Sequence, residues 1–191
     1  MIGITARRLL SWLTATLLLL IVIAGVLGTS RFAAYQLYPY PYRGLVEAEA
    51  EKAGVNPLLL AAVIRVESKF DSDTTSRKDA RGLMQIVPET GKWAAERIGL
   101  EDFTTDKLYN PETNLKLGTW YLHYLLQEFD GNLMAALAAY NGGQGNVRSW
   151  LQDNDWDGTY EQLSGIPFPE TRMFVIRVLD DYRVYRWLYG R

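Results

Sequence analysis

The chain has 191 residues, 48% hydrophobic and 13% aromatic, with 20 basic against 22 acidic side chains and a net charge of −2. That composition supports one buried core of ordinary domain size, and a near-neutral balance without a dense basic cluster offers no field for nucleic acid. With no cysteine and a single histidine, His123, disulfides, thiolate catalysis, cysteine zinc sites and His-based triads are excluded, so chemistry must run on carboxylates, hydroxyls, amides or backbone groups.

The first predicted element is a membrane segment. Residues 9–28 carry no charge and only Ser11, Thr14 and Thr16 as polar interruptions. At helical rise such a window is roughly 30 Å long, the thickness of a bilayer's hydrocarbon core. Arg7 and Arg8 precede it, and no acidic residue appears before Glu47. The positive-inside rule therefore predicts a cytoplasmic N-terminus and an exported remainder. The apolar run exceeds a secretory h-region, and Val26-Leu27-Gly28 is a poor cleavage match, so residues 1–30 read as an uncleaved signal-anchor. Residues 31–43 form a Tyr/Pro-rich linker, with Phe32, Tyr35, Tyr38, Tyr40 and Tyr42 interleaved with Pro39 and Pro41. Tyrosines there either sit at the headgroup level or pack on the following domain; the prolines favour a stiff, extended chain.

Residues 44–191 read as all-α. A short amphipathic stretch ends at Gly54. Asn56-Pro57 is a cap-plus-first-turn signal ahead of an apolar face made by Leu59, Ala62, Val63 and Val66. Pro88 opens a helix stopped by Gly99, and Asn110-Pro111 opens the longest clear one, with a stripe of Leu115, Gly118, Tyr121, Leu122, Leu125 and Phe129. An alanine-rich helix from Leu133 ends at Gly142-Gly143. A short helix around Val147 and an amphipathic run over 174–188 complete the pattern, and no alternating run predicts a strand.

Among residues able to carry chemistry, Glu67 stands at the edge of an apolar face near a helix C-terminus. Partial burial and the negative end of the helix dipole both disfavour an ionised carboxylate there, as a general acid requires. The competing reading is a surface glutamate, although Arg65 and Lys69 lie on other faces of the helix. Gly82-Leu83-Met84-Gln85 closes the next loop and reads as either an ordinary turn or a ligand-approaching backbone with an amide to offer. Ala139-Tyr140-Asn141 places a phenol and an amide at a helix end, either as core tyrosine and cap or as a cleft wall. His123 reads as structural or solvent-facing. Trp93, Trp120, Trp150, Trp156 and Trp187 read as packing residues.

Glu67-Ser68, Gly82-Leu83-Met84-Gln85 and Ala139-Tyr140-Asn141, in this order, resemble the lytic transglycosylases of the soluble-transglycosylase (SLT) type. The resemblance runs from about residue 45 to 185. It takes in Asn110-Pro111-Glu112-Thr113-Asn114 and Pro167-Phe168-Pro169-Glu170-Thr171-Arg172. It implies a lysozyme-like fold behind the N-terminal transmembrane helix and cleavage of peptidoglycan glycan strands in the bacterial envelope. Glu67 would be the sole catalytic acid and then base. Ser76 would hydrogen-bond near that carboxylate, Met84 and Gln85 would line the cleft, and Tyr140 would bring its hydroxyl close to Glu67. Asn141 would contact sugar or hold the wall, and Glu170 would line the cleft near the peptide stems. Arg81, where the family often has small residues, would alter substrate contacts.

With one carboxylate instead of the usual glycosidase pair, the substrate must supply the second group. The resemblance implies that the C6 hydroxyl of N-acetylmuramic acid does so, closing a 1,6-anhydro ring with neither metal nor cofactor. Two alternatives are a hydrolytic muramidase on the same fold and an inactive membrane-anchored glycan-binding scaffold. Nothing in the sequence identifies a protein partner.

Overall fold

The computed structural model describes the backbone of residues 2–190, and side chains from residue 12 onward except at 14, 15, 23, 24, 26, 27, 29 and 30. The chain divides into two compact units, Met1–Pro39 and Tyr40–Arg191.

The first unit is one continuous helix, α1 (Ile2–Leu37). It contains the 9–28 window, part of which lies outside the residues with described side chains. Among the described residues, no helix is long and apolar enough to cross a membrane. The helix also runs further than the linker reading expects. No breaker precedes Pro39, so 31–37 stays helical and only 38–42 are left outside helices; Pro39 then excludes helical geometry at the residue before it. Of the linker tyrosines, Tyr40 opens the second unit and packs within it. Its hydroxyl donates to the Pro57 carbonyl at 3.2 Å, and its ring lies edge-on to Tyr185 and Tyr189.

Among the described residues the second unit comprises α2 (Arg43–Ala53), α3 (Pro57–Ser68), α4 (Pro88–Arg97), α5 (Pro111–Glu128), α6 (Leu133–Gly142), α7 (Gln144–Gln152) and α8 (Pro169–Tyr189). Short 3-10 turns at Thr105–Tyr109 and Leu163–Gly165 complete it, and among the described residues extended pairing is limited to isolated bridges at Arg81. The helix starts obey the expected cap chemistry. The Asn56 side chain accepts from the backbone N–H groups of Leu58 and Leu59, and Asn110 does the same for Thr113. Proline follows both as the first helical residue.

Two helices are buried on nearly every side. α3 buries Leu60 to Ile64 completely, and α6 does so from Ala135 to Ala139. The alanines of α6 let neighbours approach closely, and α5, α7 and α8 all pack against it. α3 lies along α8, pinned by a part-buried ion pair in which Arg65 Nη1 donates to Asp181 Oδ2 at 2.7 Å. Helix α8 starts five residues before the expected apolar run because Pro169 supplies a first helical turn that carries polar Glu170 and Arg172. That early start puts Glu170 on a helix.

The segment between α3 and α4 is a compact loop. Lys69, Phe70, Asp79, Gly82 and Gln85 all take positive φ, so the chain doubles back twice and pairs Arg81 with both Thr75 and Ile86.

Candidate active site

Glu67 occupies the last turn of α3, one residue before its end. It lines a cleft of about 290 Å³ with Ser76, Gln85, Tyr140, Asn141 and Glu170. Five of the six companions expected for Glu67 thus gather around it, from four separate parts of the chain. Among the described residues the Glu67 carboxyl has no hydrogen-bond or ion-pair partner, and Glu67 and Glu170 are the carboxylates lining this cleft.

Burial is the main cause that raises the Glu67 pKa to about 8, with the like charge of Glu170 adding to it. At neutral pH Glu67 is therefore a carboxylic acid able to donate a proton. Glu170 sits in the first turn of α8, exposed, 3.6 Å from the Lys78 ammonium. The two carboxyls have opposite environments, Glu67 buried and Glu170 exposed beside an ammonium.

Met84 is the exception. Its side chain is fully buried and points away from the cleft. A Cβ on Gly118 of α5 would stand 2.4 Å from the Met84 sulfur, so only glycine leaves room for it. The physical reason lies in the turn: positive φ at Gly82 and again at Gln85 directs Leu83 and Met84 into the core between them. What Met84 contributes to the site is backbone. Its carbonyl oxygen accepts a 2.8 Å hydrogen bond from the Tyr140 hydroxyl. The phenol is held as a donor, because burial first and the neighbouring Glu67 second raise its pKa well above the usual tyrosine value.

Gln85 lines the cleft with its amide N–H groups committed to the Thr74 and Gly82 carbonyls at 3.0 and 2.9 Å. Its carbonyl oxygen is the atom left for a ligand. Ser76 also reaches the cleft, but its hydroxyl accepts from the backbone N–H groups of Lys78 and Ala80, not from Glu67. Asn141 Oδ1 accepts from the Thr171 hydroxyl at 2.9 Å, which fixes the orientation of its amide. Arg81 does not enter the cleft lining. It is turned onto Asp79 and Asp106 and over the Tyr109 ring.

Two residues outside the expected set matter as much. Asn114 is fully buried; its amide donates to the Arg81 and Leu108 carbonyls and its oxygen accepts from Met84 N–H. It clamps the Gly82–Gln85 turn on both sides, and in sequence it showed only as the end of a helix-start motif. Ser68 donates to the Leu83 carbonyl at 2.8 Å, tying that turn to the helix that bears Glu67. Lys78 and Asn141 also line an adjoining depression that Phe168 and Thr171 help to form. Among the described residues no group of three or more His, Cys, Asp or Glu side chains is placed to hold a metal ion.

The transglycosylase SLT domain matches residues 44–163 of the sequence. The chain belongs to the transglycosylase SLT family. It is similar to the soluble lytic murein transglycosylase of Salmonella typhimurium, with 34% identity over 158 residues, 81% of this chain and 24% of the relative. It is also similar to the membrane-bound lytic murein transglycosylase C of Edwardsiella ictaluri, with 32% identity over 175 residues, 77% of this chain and 47% of the relative. Among solved structures, the 70 kDa soluble lytic transglycosylase of Escherichia coli superposes with a TM-score of 0.76 at 31% identity, covering 82% of this chain and 26% of that one. The Pseudomonas aeruginosa lytic transglycosylase Slt, solved as an inactive glutamate-to-glutamine mutant, gives a TM-score of 0.72 at 36% identity, covering 78% and 24%. The SLT chain thus spans about a quarter of its soluble relatives and about half of the membrane-bound one. Helices α2 to α8 carry the lysozyme-like fold of these transglycosylases.

Proposed function

We propose that this SLT chain is a peptidoglycan lytic transglycosylase that cleaves the β-1,4 bond from N-acetylmuramic acid to N-acetylglucosamine. The observation that carries the reading is the pairing of a buried, partnerless Glu67, protonated to about pH 8, with a second cleft carboxylate that is exposed and ion-paired to Lys78. A group in the first state donates a proton; one in the second is poorly placed to act as a matched nucleophile.

The chemistry then runs on one carboxyl. Glu67 gives its proton to the glycosidic oxygen as the C1–O bond breaks. The resulting carboxylate takes the proton of the muramic C6 hydroxyl while O6 bonds to C1, which closes the 1,6-anhydro ring and regenerates the acid. No water is consumed. Tyr140 and Gln85 define the wall against which the scissile sugars lie, Asn141 presents an oriented amide to an acetamido or hydroxyl group, and Ser76 and Glu170 line the approach.

We also read α1 as the membrane anchor, with residues 1–8 cytoplasmic and the catalytic unit outside the membrane. Leu17 to Val22 are each more than half exposed along one continuous helix, an apolar surface that water does not tolerate and lipid does. Resistance of the full chain to carbonate extraction, with removal of the catalytic unit by protease added outside spheroplasts, tests this; release by carbonate would reject it.

The decisive assay is mass spectrometry of muropeptides released from purified peptidoglycan. Products one water lighter than the hydrolytic ones and resistant to borohydride are expected. Reducing ends instead would make the enzyme a hydrolase and Glu170 the candidate base. Binding without release would leave a glycan-binding scaffold.

A further inference from the structure

Trp187, in the last turn of α8, is 56% exposed, more than any other large apolar side chain described in the second unit. Of the other tryptophans there, Trp150 and Trp156 are buried and Trp93 and Trp120 half-buried. Arg183 lies one turn before Trp187, and Arg186 is the neighbour of Arg183 at the next helical spacing, both exposed. Arg183 is held by Asp180 at 2.8 Å. Arg186 extends over the Tyr182 ring and has no acidic partner among the described residues.

The same end of α8 packs on the first residues of its own unit. Tyr189 lies edge-on to Tyr40 at 5.4 Å, and the Arg43 guanidinium covers both rings at 5.6 and 5.8 Å from their centroids. The bordering acids Glu47 and Asp180 are each paired, with Arg43 and Arg183, so Arg186 stands as surplus positive charge. We infer that the C-terminal end of α8 docks on the membrane surface, with Trp187 entering the headgroup layer and Arg186 meeting phospholipid phosphate.

The chemistry and the chain's reach select that occupant. An indole with an apolar body and one N–H donor settles at the headgroup level, and a guanidinium matches phosphate geometry. That surface presupposes the anchor proposed for α1. From the end of the apolar window at residue 28, the rest of α1 and residues 38–40 carry Tyr40 no further than about 25 Å. A tether that short keeps the effective concentration of lipid high, so one tryptophan and one arginine suffice without a large basic patch. Docking also sets where the enzyme works. Glu170 and Trp187 stand on one helix, about 25 Å apart along its axis, so the cleft is held within that distance of the headgroups.

The chain has no cysteine, so one introduced thiol carries one label. The test uses full-length Trp187→Cys labelled with bimane, in vesicles of phosphatidylethanolamine and phosphatidylglycerol that contain a nitroxide-headgroup lipid. Glu101→Cys, exposed in the loop after α4, is the comparison, and thermal melts establish that both are folded. Quenching at position 187 should exceed that at 101 severalfold. Adding Arg186→Glu to the Trp187→Cys chain should lower it severalfold. Absence of quenching at 187, equal quenching at both positions, or no response to Arg186→Glu would each overturn the inference, the first leaving this surface to a protein partner. Vesicle flotation reads the anchor separately. A chain that floats without quenching at 187 keeps the anchor and loses the docking surface; one that does not float loses both.

Discussion

The Tyr140 hydroxyl donates its hydrogen bond to the carbonyl oxygen of Met84, 56 positions away in the chain, at 2.8 Å. That bond joins the end of α6 to the Gly82–Gln85 turn, and both border the carboxyl of Glu67. Tyr140→Phe keeps the ring between Tyr121 and Phe174 and leaves the carbonyl without its donor. The expected stability loss is about 1–3 kcal/mol. Activity should fall by about 10- to 100-fold as the turn relaxes. Thermal melts and initial rates on the same preparation check both.

Glu67→Gln should reduce release of anhydro products by about 10²- to 10⁴-fold, the usual contribution of a positioned acid, with glycan binding retained. The same variant has a stability signature. Because the folded pKa is raised to about 8 from 4.5, the folded chain holds a proton that the unfolded chain has already released across that window. Wild-type stability therefore declines as pH rises from about 4.5 to about 8. The glutamine variant lacks that decline, so its advantage in melting temperature should be small at pH 4 and largest at pH 9. A constant difference at all pH values would mean that Glu67 ionises in the folded state at its ordinary pKa.

Glu170 raises the Glu67 pKa by charge, which makes it separable from the acid. In Glu170→Gln the basic limb of the pH–rate profile, expected near pH 8 for the wild type, should move to lower pH. A drop in rate with no movement of the limb would assign Glu170 to substrate contact alone.

Gly82 has a φ of +72°, and a Cβ placed there would lie 2.1 Å from the Leu108 carbonyl oxygen. Gly82→Ala combines strained backbone with that collision and should cost about 3 kcal/mol or more. Asn114→Ala should cost a similar amount, about 3–5 kcal/mol, because it strips partners from two carbonyls and one N–H in the core. Chemical denaturation measures both. Loss of the pH 8 limb in whatever fraction remains folded would show that the turn also shields Glu67.

Sequence legibility follows the range of each interaction. The caps at Asn56 and Asn110 are local, three-residue chemistry and could be read directly. Glu67 was legible because its helix face and its place near the C-terminus are both local. The inward turn of Met84 depends on Gly118 making room from another helix, and the clamp by Asn114 spans 30 residues to Met84 N–H; periodicity reports neither. The start of α8 was hidden by its polar first turn, where Glu170 lines the cleft and Arg172 donates to the Ile166 carbonyl. The exposed state of Trp187 could not be told from burial either, since an aromatic residue on an amphipathic helix serves a core and a surface equally well.

The helix that carries the acid is covered by the helix furthest from it in the chain. A ribosome that has made the chain as far as residue 168 has produced Glu67, the Gly82 turn and Tyr140, but not Asp181 to hold Arg65, nor Phe174 to stack on Tyr140, nor Glu170 to raise the acid. A chain of that length therefore lacks both the helix that packs along α3 and the like charge that adds to the raised pKa of Glu67.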